Sequence, residues 1–159
     1  LNAGIMTSTP GEPYQPIETV PLDAYRKIMG VNLDGVFNGL QTFLPTMQER
    51  GGCITITASI AGLGFVPVDP LYTATKHAVI GLTRAVAAAN AGSHVRINAI
   101  CPGVVDTAIV PTDFKSRPMM PARMLAEEVF DLHENGGNGE VRVKIAADRP
   151  SFVVEPVPL

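Results

Sequence analysis

Tyr72-Thr73-Ala74-Thr75-Lys76 sets a phenol and an ammonium four residues apart, on one face if the segment is helical. A free tyrosine has a pKa of about 10 and is a poor base at neutral pH. A lysine ammonium nearby favours the phenolate. A tyrosine tuned in this way can take a proton from an alcohol while hydride leaves the carbon. Ser59 lies thirteen residues before Tyr72, at the end of the β-branched run 53–59, which reads as a buried strand. Ligands of open α/β sheets bind beyond the carboxyl ends of the strands, so Ser59 can hold the same substrate oxygen. Asn32, in Val31-Asn32-Leu33-Asp34-Gly35, can order a water linking Lys76 to solvent. The hydride needs an acceptor such as an oxidised nicotinamide, whose positive charge also favours the phenolate. Each feature alone has an ordinary reading: an exposed helix pair, a turn serine, a locally bonded asparagine. Their joint occurrence, in order and on suitable elements, favours the chemical reading.

The elements that must hold these residues follow from periodicity. Residues 5–21 carry breakers without a period and read as a loop. Pro21-Leu22-Asp23 opens a long helix, roughly 22–50, with Leu33, Val36, Phe37, Leu40, Leu44 and Met47 at helical spacing. Pro45 should bend it, and Gly51-Gly52 ends it. A second helix, about 71–90, carries Tyr72 and Lys76. Residues 95–101 form another strand, stopped by Pro102-Gly103. A loop over 106–121, a helix at about 122–134, a strand at about 140–146 and a Pro-rich tail at about 147–159 complete the chain. Strands separated by helices predict an α/β fold with a parallel sheet covered on both faces. About four strands are expected, near 1–3, 53–59, 95–101 and 140–146, with helices 22–50 and 71–90 on one face.

The 159 residues are 46% hydrophobic and 17% charged with net charge −3, a composition suited to one globular domain. It offers no basic field for nucleic acid and no polybasic membrane patch. No apolar run approaches the ~20 residues that cross a bilayer. Cys53 and Cys101 sit in apolar runs and read as small buried hydrophobes. His77, His94 and His133 have no metal-site spacing, so no metal is expected.

The ordered set resembles the short-chain dehydrogenase/reductase family over residues 1 to about 147. Asn2-Ala3-Gly4 is similar to that family's Asn-Asn-Ala-Gly motif, with Leu1 in place of the first Asn. Asn32, Ser59, Tyr72 and Lys76 match its catalytic tetrad, and the run from Asn98 to Thr107 matches its nicotinamide-side motif. The resemblance implies a Rossmann-type doubly wound sheet and an NAD(P)-dependent interconversion of a secondary alcohol and a ketone, with Tyr72 as general acid/base. It implies cofactor contacts from Asn2, Ala3, Gly4, Tyr72, Lys76, Pro102, Gly103, Val105 and Thr107. The Val105 backbone would meet the carboxamide, and the Thr107 hydroxyl would add a contact.

Stretches 72–84, 96–109 and 138–145 are most similar to 15-hydroxyprostaglandin-dehydrogenase-like members, which weakly favours NAD over NADP. Those members carry a substrate-touching Gln where this chain has Asp69. The resemblance thus implies substrate contacts from Ser59, Asp69 and Tyr72.

It further implies that Leu1 ends a fourth strand, and that the dinucleotide-binding half with its Gly-rich turn precedes it and is missing from this chain. The chain is then the C-terminal part of one domain, and inactive in isolation. A cytoplasmic homodimer or homotetramer is expected, packed through helices 22–50 and 71–90, where Gly35, Gly39, Ala78 and Ala85 allow close approach. The partners expected are a small alcohol or ketone, with no nucleic acid and no membrane. The alternative is a non-catalytic fragment or interaction protein that retains the fold.

Overall fold

The structure, a computed structural model, describes residues 1–9, 11–111, 115–116 and 118–157. A 3-10 turn (Ile17–Thr19) precedes α1 (Leu22–Met29), a π turn (Gly30–Asp34) and α2 (Gly35–Arg50). Then come β1 (Gly52–Thr57), a 3-10 turn (Ile60–Gly62), α3 (Pro70–Ala89), β2 (Val95–Pro102), α4 (Ala122–Asn135), β3 (Val141–Lys144) and β4 (Phe152–Val153). The sheet order is β1-β2-β3-β4. The first two pairings are parallel and the last is antiparallel.

Alternation along the strands assigns the two faces. Ile54 and Ile56 of β1 and Ile97, Ala99 and Cys101 of β2 form one core with Val36 and Leu40 of α2 and Val79, Ile80 and Ala87 of α3. Burying one such aliphatic side chain is worth about 1.5–3 kcal/mol. Arg96 and Asn98, on the opposite face of β2, meet the end of α4. Arg96 donates to the carbonyls of His133 (2.7 Å) and Gly136, and the Asn98 amide donates to the Gly137 carbonyl (2.7 Å). Helices thus cover both faces, as the alternation of elements predicts. Cys53 and Cys101 are both free and buried.

Three expectations need correction. The 22–50 helix is one helical run but not one α-helix, because the π turn widens it around Asn32. Pro45 lies inside α2, and Gly51 caps its end as expected. Residues 1–3 form no strand. Only Leu1 pairs with β1: its amino group donates to the Thr55 carbonyl (2.7 Å) and its carbonyl accepts from the Thr57 N–H (2.9 Å). The tail at 147–159 is not wholly irregular, since Phe152 and Val153 pair with Val143 and Arg142. The Val154 N–H reaches the Val141 carbonyl at 2.9 Å, and its own carbonyl accepts from Arg84 at 2.7 Å. The sheet is therefore three parallel strands with an antiparallel edge. In the 106–121 segment, residues 112–114 and 117 lie outside the described residues. The remainder is loop, apart from a Val105–Met120 bridge. No helix among the described residues is long and apolar enough to cross a membrane.

Candidate active site at the carboxyl end of β1

Ser59 follows β1 directly and is buried. Its Oγ accepts the Ala61 N–H at 3.1 Å, capping the 3-10 turn. That turn lies against α3 so closely that a Cβ on Gly62 would stand 2.5 Å from the Lys76 carbonyl oxygen. Gly62→Ala is therefore expected to lose about 1–3 kcal/mol of stability, the usual cost of overpacking. A fall in the urea midpoint at unchanged slope checks this.

The close approach brings Ser59 near Tyr72, where its hydroxyl favours the ionised phenol. Burial raises the Tyr72 pKa, the Ser59 bond lowers it in part, and the Asp69 charge raises it again. The sequence-based expectation was the reverse, a phenol lowered by Lys76. Spacing gives the neighbours of a group but not its desolvation. Lys76 does lie near, with Nζ 5.5 Å from the Tyr72 ring centroid, within cation–π range. Its ammonium is buried, donates to the Thr57 carbonyl at 3.0 Å, and has its pKa lowered to about 8 by desolvation. Behind it, the buried Cys101 thiol is pushed up to about 11.

Asn32 projects from the π turn and is 1% exposed. Its amide clasps Ile5, accepting the Ile5 N–H at 2.8 Å and donating to the Ile5 carbonyl at 2.9 Å. It also donates to Thr75 Oγ1 at 3.1 Å, and Thr75 in turn donates to the Tyr72 carbonyl at 2.8 Å. The Asn32 side chain is thus occupied by a loop and a helix. It reaches the Lys76 region through Gly4, where a Cβ would stand 3.4 Å from Lys76 Nζ and 3.7 Å from Asn32 Oδ1. Thr75 and Thr57 escaped sequence reasoning. Thr75 directly precedes Lys76, which is a usable signal, while Thr57 acts through its backbone and leaves none.

The remaining expected contacts lie around this centre. Asn2 and Ala3 are exposed, and Gly4 is half-buried. Pro102 and Val105 are buried, Gly103 is half-buried and Thr107 is exposed, its hydroxyl 3.3 Å from the Val105 carbonyl. Gly103 abuts Ile145, whose carbonyl a Cβ would meet at 2.0 Å. Asp69 is turned away from open space. It is 2% exposed and its two oxygens receive three protein donors, so the substrate contact implied for it is not what its carboxylate does here. A cleft of about 390 Å³ runs between Gly4–Thr9, Ala24 and Lys27 of α1, and Ala108 and Ile109. Among the described residues no group of three His, Cys, Asp or Glu could hold a metal ion.

A model of the short chain dehydrogenase family matches residues 1–118. Levodione reductase of Leifsonia aquatica is 36% identical over 126 residues, covering 79% of this chain and 47% of that protein. The 2-(R)-hydroxypropyl-CoM dehydrogenase of Xanthobacter autotrophicus is 42% identical over 92 residues, covering 57% of this chain and 37% of its own length. The chain thus spans less than half the length of these curated relatives. Among solved structures, a 3-oxoacyl-[acyl-carrier protein] reductase of Brucella melitensis with bound NAD superposes with TM-score 0.78 at 28% identity, covering 92% of this chain and 58% of that one. ElxO with NADP bound gives 0.75 at 27%, covering 89% and 62%. The sheet and its helices are accordingly of the Rossmann type.

Proposed function

The chain belongs to the short-chain dehydrogenase family, and on that premise we propose that it carries the catalytic side of an oxidoreductase that interconverts a secondary alcohol and a ketone. One observation carries the reading: Ser59, Tyr72 and Lys76 gather at the carboxyl end of β1, with Ser59 acting on the phenol and the ammonium 5.5 Å from its ring centroid. A nicotinamide dinucleotide, when bound, supplies the hydride acceptor or donor. The residues present fit its nicotinamide end. Gly4 leaves the space beside Lys76 Nζ that a side chain would fill, and Asn2, Ala3 and Thr107 are open around it. The sequence weakly favours NAD; of the structural neighbours, one carries NAD and another NADP. Pro102, Gly103 and Val105 remain the expected backbone contacts of the nicotinamide on the resemblance of the run 98–107.

In this reading Ser59 holds the substrate oxygen. The Tyr72 phenol exchanges a proton with it, accepting in oxidation and donating in reduction. Lys76 holds positive charge beside the ring and steadies the phenolate when it forms. Asn32 keeps the loop at Ile5 in place, and with it the Gly4 gap. A Tyr72 pKa raised by burial suits the proton-donating direction in the ligand-free protein. Exposed Leu22, Tyr25, Phe37 and Phe43 on α1 and α2 support self-association through that helical run. The similarity of residues 72–84, 96–109 and 138–145 supports a place near the 15-hydroxyprostaglandin-dehydrogenase-like members, while Asp69 in place of their substrate-touching Gln argues against the same substrate.

The test is nicotinamide absorbance during incubation of the full-length protein with secondary alcohols and ketones, NAD and NADP in parallel. Turnover with at least one pair is the expected result. Dinucleotide that stays unchanged with every alcohol and ketone overturns the reading and leaves an interaction protein.

A further inference from the structure

Asp69 lies three residues before Tyr72 and forms the N-cap of α3. Its Oδ1 accepts the Tyr72 N–H at 2.9 Å. The same carboxylate takes Thr7 from both sides: Oδ1 accepts from Thr7 Oγ1 at 2.7 Å, and Oδ2 from the Thr7 N–H at 2.8 Å. Thr7 belongs to the loop that Asn32 already grips at Ile5. Two buried polar side chains, from different elements, thus pin one short loop at alternate residues. A carboxylate capping a helix costs little; one that also draws in a backbone N–H and a hydroxyl 62 positions away fixes a tertiary arrangement.

We propose that Asp69 is a positioning residue, which clamps the 5–9 loop onto the first turn of α3 and so fixes the backbone that carries Tyr72. The proposal rests on the reading of Tyr72 as acid/base. It gives this position a different task from substrate contact. The clamp also sets the charge near the phenol. The charged and ionisable groups around the phenol are Asp69 at the head of α3, Lys76 one turn after Tyr72 and Cys101 of β2 beyond Lys76. Loop residues 4–9 carry no charge, and Asn32 and Ser59 are neutral. Among these, Asp69 holds the phenol proton on, because its negative charge opposes a second one.

Two near-isosteric variants of the full-length protein separate the roles. Asp69→Asn keeps an oxygen for the Tyr72 N–H but meets the Thr7 N–H with an NH2 group and removes the charge. Thr7→Val removes one donor and leaves the charge. Amide exchange at position 7 is expected to quicken in both, by roughly tenfold to a hundredfold in Asp69→Asn, the worth of a hydrogen bond to a charged group. Both should lower kcat with KM within about twofold, as for loss of an interaction felt in the transition state. Tyrosinate absorbance, taken as the difference from Tyr72→Phe, should shift to lower pH in Asp69→Asn only. Thr7→Val preserves the cap and decides the matter if Asp69→Asn does not fold. Protection at position 7 that survives both substitutions overturns the clamp. So does a rise in KM at unchanged kcat in Asp69→Asn with Thr7→Val silent, which makes Asp69 a substrate ligand. If no alcohol is turned over at all, the enzymatic reading fails, while amide exchange and the phenol titration still decide the clamp.

Discussion

Tyr72→Phe is expected to abolish turnover in the full-length protein, by roughly 10²–10⁴-fold, the usual contribution of a positioned acid/base. The dinucleotide should bind nearly as before. Nothing that holds the helix turn depends on the phenol oxygen. The Tyr72 N–H stays on Asp69, its carbonyl still accepts from Thr75, and the ring remains 5.5 Å from the Lys76 ammonium. What disappears is the proton acceptor and its interaction with Ser59. The loss should appear in kcat and kcat/KM together, with the dinucleotide dissociation constant within a few-fold of the parent. Single-turnover absorbance and a fluorescence titration read the two quantities separately. Near-normal turnover in this variant would remove Tyr72 from the chemistry.

The elements that depend on local pattern were legible in the chain. Cys53 to Thr57 and Val95 to Cys101 are β-branched or apolar runs bounded by breakers, and both are strands. The helix expected at about 71–90 is α3, Pro70–Ala89, and it carries Tyr72 and Lys76 as the spacing predicts; the Asp69 cap that starts it appears only in the fold. What escaped depends on partners distant in sequence. The π turn at Gly30–Asp34 has no propensity signature, and inside it Asn32 meets Ile5, 27 positions away. The edge strand Phe152–Val153 hides among prolines that flank its two residues and do not interrupt them. Thr7 sat in a stretch of breakers that reads as plain loop, and only the fold sets it on Asp69. The direction of the Tyr72 shift was missed for the same reason. Spacing puts an ammonium near the phenol, whereas the burial that raises its pKa is a property of the assembled core.

Lys76→Met is expected to make the chain more stable at neutral pH while destroying its proposed activity. Lys76 is 3% exposed, and desolvation lowers its pKa from 10.5 in the unfolded chain to about 8. Below pH 8 the folded state must carry the buried ammonium, at a cost on the order of 3 kcal/mol. The Thr57 carbonyl, 3.0 Å from Nζ, offsets part of that cost. Between pH 8 and 10.5 the unfolded chain binds more protons at this site than the folded one, so stability rises with pH and the penalty fades. Above pH 10.5 both states are neutral and the penalty is gone. The gain from Lys76→Met should therefore be about 2–3 kcal/mol at pH 7 and shrink progressively toward pH 10.5. Tyr72 and Cys101 also titrate in the alkaline range, so the informative quantity is the difference between the two proteins at each pH. Urea denaturation at pH 7 and at pH 10 measures it. A variant less stable than the parent at pH 7, or a gap that does not change with pH, would mean that the ammonium is well solvated in the fold.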